Sequence, residues 1–93
     1  MRFERDERKR ASNLEEHGVD FKDAALIFDG ACLEAEDKRG GYGEPRFRAL
    51  GRVGDDYVMI AFTWRGEVCR IISAWRVDDE GKRRYEAILA RNA

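Results

Sequence analysis

The side chains best suited to chemistry in this sequence are arginines. Fourteen of the eighteen basic residues are arginine, and six of them, Arg46, Arg48, Arg52, Arg65, Arg70 and Arg76, fall within residues 46–76. A guanidinium presents its N–H groups in a fixed planar fork that matches two phosphate oxygens. A set of arginines therefore points to phosphate recognition and to stabilisation of charge developing on phosphate oxygens during a reaction. In the run RFRALGRV, period-two alternation puts Arg46, Arg48 and Arg52 on one face of a strand and Phe47, Ala49 and Val53 on the other. A solvated sheet face carries the same pattern, since edge strands use charge to discourage pairing with other chains.

Other candidates are few. His17, the single histidine, is the one side chain whose ordinary pKa lies near neutrality, which suits a general acid or base. In the last turn of a helix before Gly18 it also interacts favourably with the helix C-terminus, a purely structural role. Tyr85, beside Arg83 and Arg84, is able to donate a proton or stack on a base, and equally to sit half-buried in a core. Trp64 and Trp75 end consecutive strands, where they would form either a stacking platform or a core cluster. Ser12, Thr63, Ser73, Cys32 and Cys69 lack a nucleophile-elbow context, and Gly40, Gly41 and Gly43 precede Pro45 and a strand rather than a helix. One histidine and two distant cysteines make no zinc set, so no metal or other cofactor is expected and the thiols are expected to be free.

The elements that must hold these residues are readable from pattern. A first helix runs over Asp6–His17, with Gly18 as its C-terminal stop and only Ala11 and Leu14 as an apolar seam. Asp20 caps a second helix whose Phe21, Ala24, Ala25 and Phe28 repeat at helical spacing up to Gly30. CLEAED reads as a strand, KRGGYGEP as a loop, and RFRALGRV, YVMIAFTW and EVCRIISAW as three strands separated by the turns GDD and RG. Apolar residues at both parities of YVMIAFTW mark a central strand covered on both faces. Asp78, Asp79 and Glu80 then open a last helix carrying Tyr85, Ile88 and Leu89. The expected fold is α+β: two N-terminal helices, a four-stranded antiparallel sheet and a C-terminal helix in one domain spanning residues 1–93.

Composition narrows the function classes. The 93 residues are 40% charged, yet the formal net charge is −1, which argues against a polyelectrolyte that binds nucleic acid or membranes indiscriminately. The balance is a sum of opposed segments. Residues 20–37 hold six acids against Lys22, whereas residues 46–77 hold six arginines against Asp55, Asp56 and Glu67. A hydrophobic fraction of 43% suffices for a globular core. No run approaches the roughly 18 apolar residues of a membrane span, and the opening MRFERDERKRASN lacks the apolar region of a secretory signal, so a cytoplasmic protein without membrane contact is expected.

These pieces together are specific. FERDERKRASNLEEHGVDFKDAALIF resembles the opening of the BrnT toxin family, FEWDxxKxxxNxxKHGVxFxxA. RFRALG, FTWRG and RIISAWR…RRYE are similar to that family's ERxxALG, YTxRG and RIISARR…RRYE, in register over nearly the whole chain. The resemblance implies the toxin half of a type II toxin–antitoxin module: a RelE-like fold, metal-independent RNA cleavage that inhibits translation, and neutralisation by a BrnA-type antitoxin. The ribbon-helix-helix part of that antitoxin binds operator DNA, and a toxin–antitoxin heterotetramer is implied.

By the same resemblance, Arg65, Arg70 and Arg76 contact the phosphate and its transition state, with His17 or Tyr85 as proton donor. Lys9, Arg46, Arg48 and Arg52 are the expected RNA-binding residues, and Lys9, Asn13, His17 and Arg46 fall on patterned positions of the family. The chain departs from the pattern at Trp75, where the family has the first arginine of its pair, at Arg5 in place of tryptophan and at Glu16 in place of lysine. Loss of a phosphate-contacting arginine at position 75 would reduce the rate by about 10²–10³-fold. That leaves a second reading, a weakened toxin that survives as an antitoxin-binding, operator co-repressing module.

Overall fold

The computed structural model describes residues 1–41 and 43–92, the side chain of Asn92 excepted. In chain order it contains β1 (Arg2–Arg5), α1 (Glu7–His17), α2 (Phe21–Ala24), a 3-10 turn (Ala25–Asp29), β2 (Leu33–Asp37), β3 (Arg46–Val53), β4 (Asp56–Arg65), β5 (Val68–Arg76) and α3 (Asp79–Asn92). Tyr42, in the expected loop between β2 and β3, lies outside the described residues. No helix among the described residues is long and apolar enough to cross a membrane.

The α+β architecture matches expectation, but the sheet does not. Instead of four antiparallel strands there are five in a mixed sheet, ordered β1-β5-β4-β3-β2, with β1 parallel to β5 and the other pairings antiparallel. The extra strand, RFER, is four residues long and mostly charged, too short for alternation to announce it. Its register comes from a distant partner: Phe3 lies opposite Cys69 and turns into the core, which leaves Arg2 and Glu4 on the other face.

α1 begins and ends as its sequence requires. Asp6 accepts from the backbone N–H groups of Arg8 (2.8 Å) and Lys9 (3.2 Å), and Gly18, at φ 69°, donates its N–H to Leu14. Its seam is a correction, however. Ala11 and Leu14 are exposed, and the buried side chain is Asn13. The Asn13 amide donates to the carbonyls of Val19 (2.9 Å) and Ala74 (2.8 Å), and its oxygen accepts from the Ala74 N–H (3.1 Å). Pairing of β1 with β5 stops at Ile71, so Asn13 satisfies the edge of β5 where β1 ends. A buried polar group of this kind is tolerable because its hydrogen bonds are made.

The second expected helix is also revised. α2 has a single turn and tightens into the 3-10 turn, because Phe21, Ala24 and Ile27, all fully buried, repeat every three residues and eclipse in that geometry. Gly51 permits the approach, since a Cβ there would lie 2.6 Å from the Ile27 Cβ. Arg10 ties α1 to the cap of α2 through two 2.8 Å bonds to the Asp20 carboxylate.

One face of the sheet thus carries the main core, with Ala49, Val58, Ile60, Phe62, Cys69, Ile71 and Ala74 against Val19, Phe21, Ala24 and Ile27. The opposite face is covered only at one end, where Tyr85 of α3 meets Leu50 and Tyr57. β4 is therefore apolar at both parities, as expected: Tyr57 and Met59 pack towards α3, and Val58, Ile60 and Phe62 face the other way.

Candidate functional site

The face that α3 leaves open gathers the arginines. On β3, Arg46 and Arg48 alternate with the core residues Phe47 and Ala49. Their neighbours on β4 follow from register: Arg48 lies opposite Ala61, and Thr63 lies opposite Arg70 of β5. Arg65, two residues past Thr63, falls on the same face at the turn where Gly66 takes φ 62°. Beyond Arg70, Glu4 of β1 completes the row.

A bulge decides which of the later residues join them. Ala61 pairs with Ser73 and Phe62 with Ile71, so Ile72 is an extra residue on β5 and the alternation shifts by one. After the bulge Ala74 points into the core, Trp75 lies on the open face opposite Met59, and Arg76 points to the packed side. Uninterrupted alternation would have put Arg70 and Arg76 together; the bulge separates them.

The expected site residues accordingly fall into two groups. Arg46, Arg48, Arg65 and Arg70 share the open face. Arg48 borders an open groove of about 340 Å³ lined also by Leu33, Leu50, Met59 and Ile88. Neither Arg48 nor Arg65 makes an ion pair among the described residues. Arg46 lies opposite Asp37, and Arg70, half-buried, donates from Nη1 to Glu4 Oε1. Small polar side chains accompany them: Ser73 lies on this face, and Thr63 donates to the Pro45 carbonyl at 2.6 Å, fixing the entry to β3.

The remaining residues are elsewhere. Arg76 pairs with Asp56 (Nε to Oδ2, 3.3 Å) beside Gly18, in a cavity of about 130 Å³ at the end of α1. His17 is exposed one residue before that glycine. Tyr85 is buried, donates its hydroxyl to the Ala31 carbonyl at 2.7 Å, and has its pKa pushed up by burial. Arg52 is turned into its own hairpin, donating to Gly54 (2.7 Å) and lying over Tyr57. Lys9 is exposed on the first turn of α1. The two tryptophans cannot form one platform: Trp64 contacts Phe62 on the packed side, whereas Trp75 is on the other.

Sequence reasoning missed Arg2 and Glu4, which join the open face through β1. The signals available were the patterned E of the family opening, which Glu4 fills, and the alternation of Arg2, Phe3 and Glu4, whose placement is legible only once the pairing with β5 is known. The electrostatics of the face are positive, with Asp37 and Glu4 as the carboxylates pointing onto it from β2 and β1. Asp37 is claimed by Arg39 through two side-chain bonds of 2.9 and 2.8 Å and a backbone N–H, which hold its pKa well below the usual carboxylate range. Both cysteines are free, and burial pushes the Cys32 thiol up to about 11 and the Cys69 thiol up to about 12, which keeps them protonated and unreactive. Among the described residues no three His, Cys, Asp or Glu side chains are grouped to hold a metal ion. Chemically, the arrangement is able to bind a polyanionic backbone and neutralise charge on a phosphate.

No curated protein sequence matches the chain. Residues 6–81 match the family model described as ribonuclease toxin, BrnT, of type II toxin–antitoxin system, a family whose members imply an antitoxin partner. With most of the chain covered by that match, the protein belongs to the BrnT family of ribonuclease toxins.

Proposed function

We propose that this protein is an endoribonuclease that cleaves RNA at its open sheet face without a metal, so inhibiting translation, and that a BrnA-type ribbon-helix-helix antitoxin neutralises it within a heterotetramer. The observation that carries this reading is the convergence of Arg46, Arg48, Arg65 and Arg70 on one uncovered face of a member of a ribonuclease-toxin family. Arg65 and Arg70 bind the scissile phosphate and stabilise charge on its oxygens as the 2′-oxygen attacks. Arg46 and Arg48 hold the flanking backbone. The resemblance also offers Arg76 with His17 or Tyr85 as proton donor, but the Tyr85 hydroxyl already donates to Ala31, and Arg76 and His17 belong to the far end of α1. Incubation of the purified protein with RNA in EDTA gives fragments ending in 2′,3′-cyclic phosphate if the reading holds; intact RNA at high enzyme concentration contradicts it.

One observation favours the second reading, a weakened toxin retained for antitoxin binding and co-repression. Trp75 occupies the open face in the row of Leu50 and Met59, where the family pattern supplies an arginine. That reading gives a stable complex with the antitoxin and no growth arrest on expression.

A further inference from the structure

We propose that Glu4 is the general base that takes the proton from the attacking 2′-hydroxyl. This rests on the reading of the open face as the cleavage site, and it concerns a residue to which neither the motif pattern nor the family match gives a role.

Cleavage through the 2′-oxygen needs a proton acceptor beside the phosphate, and the open face offers few. Arginine does not deprotonate in proteins. Asp37 has a nearly buried side chain, 6% exposed, and both of its oxygens are occupied by Arg39. His17 lies away from the face, Tyr85 sits buried at its α3-covered end with its hydroxyl donating to Ala31, and Glu86 of α3 accepts the Tyr57 hydroxyl at 2.7 Å. Glu4 is different. Its side chain is 39% exposed, and one carboxylate oxygen, Oε1, accepts from Arg70 Nη1, which leaves Oε2 available.

The position of Glu4 follows from that contact. In a near-attack geometry the 2′-oxygen lies about 3–3.5 Å from the phosphorus. A carboxylate within hydrogen-bond distance of the guanidinium that holds the phosphate is therefore one guanidinium's width from it, within reach of a 2′-hydroxyl bound on that side. The remaining N–H groups of Arg70 are free to meet the phosphate while Nη1 keeps the carboxylate oriented. Glu4 accepts the proton, the 2′-oxygen forms its bond to phosphorus, the bond from phosphorus to the 5′-oxygen breaks, and the leaving 5′-oxygen takes a proton from water. The products are a 2′,3′-cyclic phosphate and a 5′-hydroxyl, and Glu4 returns its proton to solvent. The charged groups around Glu4 are Arg70 on β5, Arg2 on its own strand and Asp6, the cap of α1, whose carboxyl is held down by the backbone N–H groups of Lys9 and Arg8 and, less, by Arg70.

The test is single-turnover cleavage of a defined RNA in EDTA from about pH 4 to 8 by the wild-type chain, Glu4→Gln and Glu4→Ala. Circular dichroism checks that each variant is folded. Glutamine keeps an acceptor for Arg70 and cannot take a proton. A base at this position predicts a fall of about 10²–10⁴-fold in the rate constant with RNA affinity little changed, and loss of the rise in rate with pH. Added acetate restores part of the activity of Glu4→Ala. Glu4→Gln cleaving with the wild-type rate and pH profile overturns the proposal alone, as does a folded Glu4→Ala that acetate leaves inert. A wild-type chain that leaves RNA intact overturns the reading of the site together with the proposal.

Discussion

The two faces of the sheet are made from alternate residues of the same strands, yet they are opposites in kind. On the packed face Phe62 meets Phe28, Phe47 and Trp64 at ring-centroid distances of 5.6–5.8 Å, and every neighbouring strand contributes an apolar side chain. On the open face Arg46, Arg48, Arg65 and Arg70 stand over small residues such as Ala61 and Ser73, and α3 closes only the far end. Stability and chemistry are thereby assigned to different parities of one sequence. A small domain has little stability to spare, and such a division lets the reactive side be cationic without putting charge into the core.

That division makes substitutions on the two sides separable. Phe62→Ala, which opens a cavity at the centre of the packed face, is expected to cost about 3–5 kcal/mol in denaturant unfolding and to lose cleavage only through loss of fold. Arg70→Ala is expected to lower cleavage by about 10²–10³-fold, or about 2.7–4 kcal/mol in the barrier, while its melting temperature stays close to that of the wild type. Trp75→Arg returns a guanidinium to the open face and should raise cleavage by up to about 10²-fold in the same assay; no gain would separate this position from the phosphate. Gly51→Ala forces a Cβ into Ile27 and is expected to destabilise by about 1–3 kcal/mol without altering the catalytic rate of the folded fraction.

The smallest effect is electrostatic and belongs to the packed side. Hydrogen bonds from Arg10, then the Lys22 N–H, hold the Asp20 carboxyl well below its ordinary 3.8. A depressed pKa means that the stabilisation is complete above about pH 4 and is lost as pH falls towards the folded-state value. Asp20→Asn should therefore melt earlier than the wild type at pH 7, by about 1 kcal/mol, and the gap should close on acidification.

Much of this organisation was readable from residue order. The alternation in RFRALGRV separates Arg46 and Arg48 from Phe47 and Ala49, and the turns at Gly54 and Gly66 mark out β3, β4 and β5 as expected. What escaped was set by partners distant in sequence. β1 has no local signature and exists because Phe3 finds Cys69. α1 is anchored by Asn13, whose partner Ala74 is sixty-one residues away, so an apolar-seam argument looks at the wrong side chains. The bulge at Ile72 follows from pairing rather than pattern, and it determines that Trp75, not Arg76, shares a face with Arg70. Glu4 escaped for the same reason as β1.

The most direct test pairs the wild-type chain with the double variant Arg48→Ala/Arg70→Ala in one experiment: RNA cleavage in EDTA read by end-group analysis, with thermal unfolding measured on the same samples. An active site on the open face requires 2′,3′-cyclic phosphate products from the wild type and none from the variant at closely similar melting temperatures. Cleavage by the double variant at the wild-type rate would contradict it.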